Sequence, residues 1–118
     1  MATTDSKIVE KTLDIDEHKV RLLFVKLYST FLIWIGDELE PNMENLALAL
    51  GKNGTEIMSK NVNSIDCELA TKLSIRFNNN RPVYVSFNYQ PAFDNTELKL
   101  EIIKNLIDFV RECLELSS

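Results

Sequence analysis

The most apolar run in the chain is Phe31-Leu32-Ile33-Trp34-Ile35. Both of its alternating phases are apolar: Phe31, Ile33 and Ile35 in one, Leu32 and Trp34 in the other. A half-solvated strand would alternate apolar with polar. The run is therefore predicted as a central strand covered on both faces, by the chain's own elements or by another subunit. Gly36 ends it, an acidic segment containing Pro41 and Asn42 follows, and a second apolar run, Leu46-Ala47-Leu48-Ala49-Leu50, completes the block. The two runs read as neighbouring strands joined by a polar loop at 37–44.

Upstream, apolar and polar positions mix loosely over 8–15, which predicts an edge strand. Asp16-Glu17-His18-Lys19 suits a hairpin turn, with His18 exposed in it. Residues 20–28 are β-branched and aromatic enough for a strand. Val20, Leu22 and Phe24 share a phase with Lys26 and Tyr28, so that face is expected to be partly wet, with Arg21, Leu23, Val25 and Leu27 on the other. Short connections between the first three strands predict an antiparallel meander. Downstream, Gly51-Lys52-Asn53-Gly54 is a turn signal, and 55–60 is predicted to pair back on the second apolar run.

The period then changes. Leu69, Ala70, Leu73 and Phe77 recur at three- and four-residue spacing and predict an amphipathic helix. Ser64 or Asp66 can cap its start, and Asn78-Asn79-Asn80 followed by Pro82 ends it. Residues 82–89 alternate cleanly, with Val83, Val85, Phe87 and Tyr89 on one face and Tyr84, Ser86 and Asn88 on the other. A last helix is predicted from about 96 to about 115, capped by Asp94 or Asn95 and frayed at 116–118. Leu98, Ile102, Leu106, Phe109 and Cys113 form one ridge, with Ile103, Ile107, Val110 and Leu114 beside it. So wide an apolar sector calls for heavy cover. Strands, helix, strand, helix in that order predict an α+β fold: a mostly antiparallel sheet of five or six strands with two amphipathic helices on one face.

The 118 residues fit one domain, 1–118, with 1–6 as a polar tail. With 13 basic against 18 acidic residues the formal charge is −5, and no segment gathers Lys or Arg into a stripe. Binding to nucleic acid or to an anionic membrane surface is disfavoured on that ground. Cys67 and Cys113 lack the spacing of a metal knuckle or redox pair and read as reduced thiols. The opening residues show no signal-peptide pattern and no run reaches the length of a membrane span, so a cytosolic or nuclear location is expected.

Catalytic chemistry finds little to stand on. His18 is the only histidine, so triad-type catalysis or a zinc site would depend on it alone. Gly51-x-x-Gly54 lacks the Lys-Ser/Thr of a phosphate loop. Asp37, Glu38, Glu40 and Glu44 do not match an EF-hand loop; they read as a solvated acidic loop or as a docking surface for a basic partner. Tyr84, Phe87 and Tyr89 could stack bases, but no Lys or Arg accompanies them on the strand. No catalytic residue, metal or cofactor is assigned, and a binding or assembly role remains.

Two blocks, taken together, resemble the proteasome assembly chaperone 4 family. One is Phe31-Leu32-Ile33-Trp34-Ile35-Gly36 with Asn45-Leu46-Ala47-Leu48-Ala49-Leu50. The other is Leu69-Ala70-Thr71-Lys72-Leu73 through Pro82-Val83-Tyr84-Val85-Ser86-Phe87-Asn88. That family shows a Leu-x-Trp-Val-Gly strand, then Asn-Leu-Ala-x-Ala, and later a Leu-Ala-x-x-Leu helix leading into Val-Phe-Val-Ser-Tyr-Asn. The likeness spans roughly 20–115; residues 52–63 have no counterpart in it. It implies a non-enzymatic chaperone of 20S proteasome biogenesis. Such a protein pairs with a second small chaperone, assembly chaperone 3, and holds α-type subunits while the α-ring forms. Trp34, Phe87 and Tyr89 are the candidate residues for the dimer interface or its supporting core. Two other readings stand beside this one: a ligand-binding or enzymatic domain with a pocket between sheet and helices, and a homodimeric scaffold unrelated to the proteasome.

Overall fold

A computed structural model describes residues 7–39, 41–60 and 65–117. The expected tail at 1–6, the loop at 61–64 with its cap candidate Ser64, Glu40 and residue 118 lie outside the described residues.

The chain folds as α+β. Strands β1 (Lys7–Ile15), β2 (His18–Lys26) and β3 (Phe31–Asp37) form the expected antiparallel meander. β4 (Asn45–Leu50) and β5 (Asn53–Ser59) form a hairpin. Helix α1 (Asp66–Phe77) then leads to β6 (Pro82–Phe87), and helix α2 (Thr96–Ser117) follows. All six strands join one sheet in the order β1-β2-β3-β6-β4-β5.

That order corrects one expectation: β3 and β4 are not neighbours. β6 lies between them, parallel to β3 and antiparallel to β4. Parallel pairing needs a long crossover, and the β4–β5 hairpin with α1 supplies it. α1 packs on β4, β5 and β6, whereas α2 packs on β1 and β2, so both helices cover the same side of the sheet.

The core lies under the helices. Val20, Leu22 and Phe24 of β2, Phe31, Ile33 and Ile35 of β3, and Val83, Val85 and Phe87 of β6 are fully or almost fully buried there. Phe24 and Phe31 stack with ring centroids 5.3 Å apart. The face of β2 expected to be partly wet is thus its driest. The reason is that β2 ends at Lys26. Leu27 donates its N–H to the Thr30 carbonyl, and Leu27 and Tyr28 leave the sheet as an exposed turn.

Local chemistry explains the element ends. Gly51 takes φ of 59°, so the β4–β5 turn needs only Gly51 and Lys52 and β5 begins at Asn53. Asn79 and Asn80 are both left-handed, a conformation Asn tolerates, and they stop α1. The Asn95 side chain accepts from the Leu98 N–H and caps α2, as expected. The N-cap position of α1 falls on Ile65, so Asp66 enters as the first helical residue. It is buried, and its carboxylate accepts the Phe87 N–H of β6 at 2.7 Å. Along α2, Leu98, Ile102, Leu106, Phe109, Val110 and Cys113 are buried against the sheet. The helix continues through Ser117, past the end expected for it near 115.

Candidate interaction surface

The sheet has a second face, and the described residues put no helix on it. Alternation and register place on it Leu32 and Trp34 of β3, Leu23 and Val25 of β2, Tyr84 of β6, and Leu46, Leu48 and Leu50 of β4. Ile8 extends the patch onto β1 and Met58 onto β5. Most of these side chains are half-buried by their neighbours alone; Ile8, Leu50 and Met58 are more open. The expected cover on both faces of β3 is therefore complete only on the helix side. Charge on this face is confined to its margin, where Glu10 pairs with Arg21 and Asp14 with Lys19. The Asp14 contact holds the Lys19 ammonium above its ordinary pKa.

Trp34 is the best-protected of the large apolar side chains on this face, at 8% exposure. Its indole lies flat across Gly36: a Cβ built on that glycine would stand 2.4 Å from the ring. The indole N–H donates to the Asn42 carbonyl at 2.8 Å. Gly36 thus clears the space, and Trp34 ties the loop between β3 and β4 onto the sheet. Between that loop and β2 lies an apolar notch of about 370 Å³, lined by Leu23, Leu32, Trp34, Pro41 and Met43, with Glu10 and Arg21 at its rim.

Beneath the loop sits a closed set of polar side chains that pattern reading missed. The Asn88 side chain accepts from the Glu44 and Asn45 N–H groups at 2.9 and 3.0 Å and donates to the Ser86 hydroxyl. Ser86 donates in turn to the Asn45 carbonyl, and the Asn45 side chain bridges the Phe87 carbonyl and the Lys60 N–H. Asn45, Ser86 and Asn88 are each less than 9% exposed. Buried amides must be satisfied, and these are satisfied only when loop, β4 and β6 meet in this register. The available signal was a Ser and two Asn embedded in otherwise apolar strands.

The three candidate residues do not converge. Trp34 lies on the open face, whereas Phe87 and Tyr89 belong to the core under the helices. Phe87 meets Phe93 at 5.8 Å. Tyr89 lies just past β6, and its hydroxyl is 3.0 Å from Nδ1 of His18. His18, expected in an exposed turn, is the first residue of β2 and half-buried against the Tyr89 ring. Burial, with the Asp37 carboxylate adding to it, raises the Tyr89 phenol above its usual range.

A polar recess of about 400 Å³ lies beside Asp37, Asn42, Asn88 and Gln90. Its Asn88 amide is engaged at both its oxygen and its nitrogen, and Asp37 accepts from the Leu39 N–H. Among the described residues no three His, Cys, Asp or Glu side chains are grouped to hold a metal, and no helix is long and apolar enough to cross a membrane. Cys67 and Cys113 are not joined in a disulfide; burial, with Glu112 next, pushes the Cys113 thiol up to about 11.

Neither a protein-family model nor a curated protein matches the sequence. Among solved structures, this fold matches a chain from the crystal structure of a novel chaperone complex for yeast 20S proteasome assembly. The TM-score is 0.68 at 16% identity, over 92% of this chain and 98% of that one. Over that span the chain has the fold of a component of a 20S proteasome assembly chaperone complex.

Proposed function

We infer that the protein is a non-enzymatic chaperone of 20S proteasome assembly. In this reading it works in the cytosol or nucleus as a dimer with a second small chaperone of the assembly chaperone 3 kind. The pair holds α-type subunits while the seven-membered α-ring forms. The fold likeness carries the reading, since it spans nearly the whole of both chains.

The open sheet face supports it. Contiguous apolar surface of this kind marks interaction sites on soluble proteins. A partner sheet laid on it would bury Leu32, Leu48 and Tyr84 and seat a side chain in the notch beside Trp34, as in the packing of two sheets face to face. Trp34 would then be the contact residue, with Phe87 and Tyr89 stiffening the sheet from the helix side.

The test is a tagged pull-down from the source cell's lysate, read by mass spectrometry. α-Type proteasome subunits together with a second small chaperone are the expected recovery. The protein alone, or with partners unrelated to the proteasome, would overturn the reading in favour of a homodimeric scaffold or another binding role.

A further inference from the structure

On the helix side, α1 and α2 scarcely touch each other. Between them runs a cleft of about 200 Å³. Its apolar lining is Ile65 just before α1, Leu69 from α1, and Leu100 and Ile103 from α2. Leu100 is 60% exposed, a large apolar side chain directed away from the sheet that α2 otherwise covers. Ile107, half-buried, continues the Leu100–Ile103 stripe by one helical turn.

The charge around this cleft runs against that of the whole chain. Lys72, Lys99 and Glu68 line it, and Arg76 follows Lys72 by one turn on the same side of α1. Lys72 meets Glu68 only at 3.9 Å, with both side chains largely in solvent. The Lys99 ammonium has one long contact, 3.5 Å to the Phe93 carbonyl. The lining itself carries two lysines and one carboxylate, one positive charge in excess on a molecule of net charge −5.

The cleft is smaller than the roughly 300–1,000 Å³ of small-molecule sites, so it suits protein side chains better than a metabolite. It presents no strand edge, so an added strand cannot use it. Two helix walls with apolar floors are the geometry that accepts a third helix through anchors at i, i+3 or i+4, and i+7. We propose that the α1–α2 cleft docks an acidic amphipathic helix of a protein partner. Its apolar anchors rest on Leu69, Leu100 and Ile103, and its carboxylates face Lys72 and Lys99. This site lies on the opposite side of the sheet from the open face and does not depend on the reading of that face.

The probe is a labelled synthetic helix with Leu at those anchor positions and Glu at the flanking ones, titrated by fluorescence anisotropy into the full chain. A second peptide with Lys replacing every Glu is the control. The acidic peptide binds and the basic one does not. Lys72→Glu/Lys99→Glu weakens binding by about tenfold or more, as loss and reversal of facing charges does. Leu100→Glu weakens it at least as much, while circular dichroism and melting temperature stay at wild type because Leu100 is exposed. Amide shifts in the labelled protein fall on α1 and α2. The proposal is overturned if the acidic peptide does not bind, if the variants bind it as wild type does, or if the shifts fall on the open sheet face. It is equally overturned if Leu100→Glu changes the sedimentation of the protein alone, which would make a second copy the occupant.

Discussion

At the scale of single residues, Gly36 and Trp34 form one device. The ring occupies the space where any side chain at 36 would project, so Gly36→Ala should cost about 1–3 kcal/mol by overpacking. Trp34→Ala should cost about 3 kcal/mol, the low end for a large aromatic, since the described residues put no helix over this face of the sheet. With the ring gone the added methyl has room. In the Trp34→Ala background, therefore, Gly36→Ala should cost almost nothing. Urea titration of the four proteins checks this, and additive costs would show that the ring does not lie over the glycine.

Cys113 and Tyr89 set the alkaline limit of stability. Both are neutral when protonated, and both hold their protons more tightly folded than unfolded. Their contribution is present in full below about pH 9, the ordinary value for the thiol, and is lost as pH rises towards about 11. Melting temperature should fall across that window, and Cys113→Ala should flatten the part of the fall due to the thiol. A flat profile in the wild type would contradict the burial of both groups.

At the scale of elements, most of the fold was legible because period is a strong signal. The clean alternation of 82–89 and the three- and four-residue spacing after 64 mark β6 and α1 without help from tertiary structure. Turn chemistry served as well: Gly51 and the asparagines at 79 and 80 stand where the backbone turns left-handed. What failed was long-range. Nothing local in Leu46-Ala47-Leu48 says that β6 will insert between β3 and β4, because strand neighbours depend on where α1 delivers the chain. Asp66 shows the same thing. At a helix start it reads as a cap, and nothing local says that its carboxylate also accepts the Phe87 N–H, 21 residues on. Asp66→Ala should therefore destabilise by about 1–3 kcal/mol, the cost of orphaning a buried donor. Asp66→Asn, which keeps an acceptor, should lose less. Equal losses in thermal melts would mean that the contact to β6 does not matter.

At the scale of the whole molecule, the sheet is asymmetric: one face is sealed by two helices and the other stays apolar and largely uncovered. The double-phase pattern of Phe31–Ile35 carried that information, because a strand apolar on both sides needs two covers and the described residues supply a full one on the helix side alone. The identity of the second cover is not written in any single residue. It rests on the order of the Trp34-Ile35-Gly36, Asn45-Leu46-Ala47 and Val85-Ser86-Phe87-Asn88 blocks, and on a fold shared across nearly the full length of a yeast assembly-chaperone chain. Trp34 was legible as a contact candidate for its residue type. The notch beside it was not, since Pro41 and Met43 reach it through long-range contacts, the Trp34 bond to Asn42 and the Asn88 bond to Glu44, that no local pattern announces.

The most direct test of this account is a paired capture experiment on the open face. Wild type and Leu32→Ser/Leu48→Ser would be tagged, confirmed to melt cooperatively, and used side by side to capture partners from the source cell's lysate. The account predicts that wild type brings down a second small chaperone with α-type proteasome subunits, and that the folded variant loses both. Capture of the same partners by the variant would contradict the assignment of the open face. Failure of the wild type to capture them would contradict the chaperone role itself.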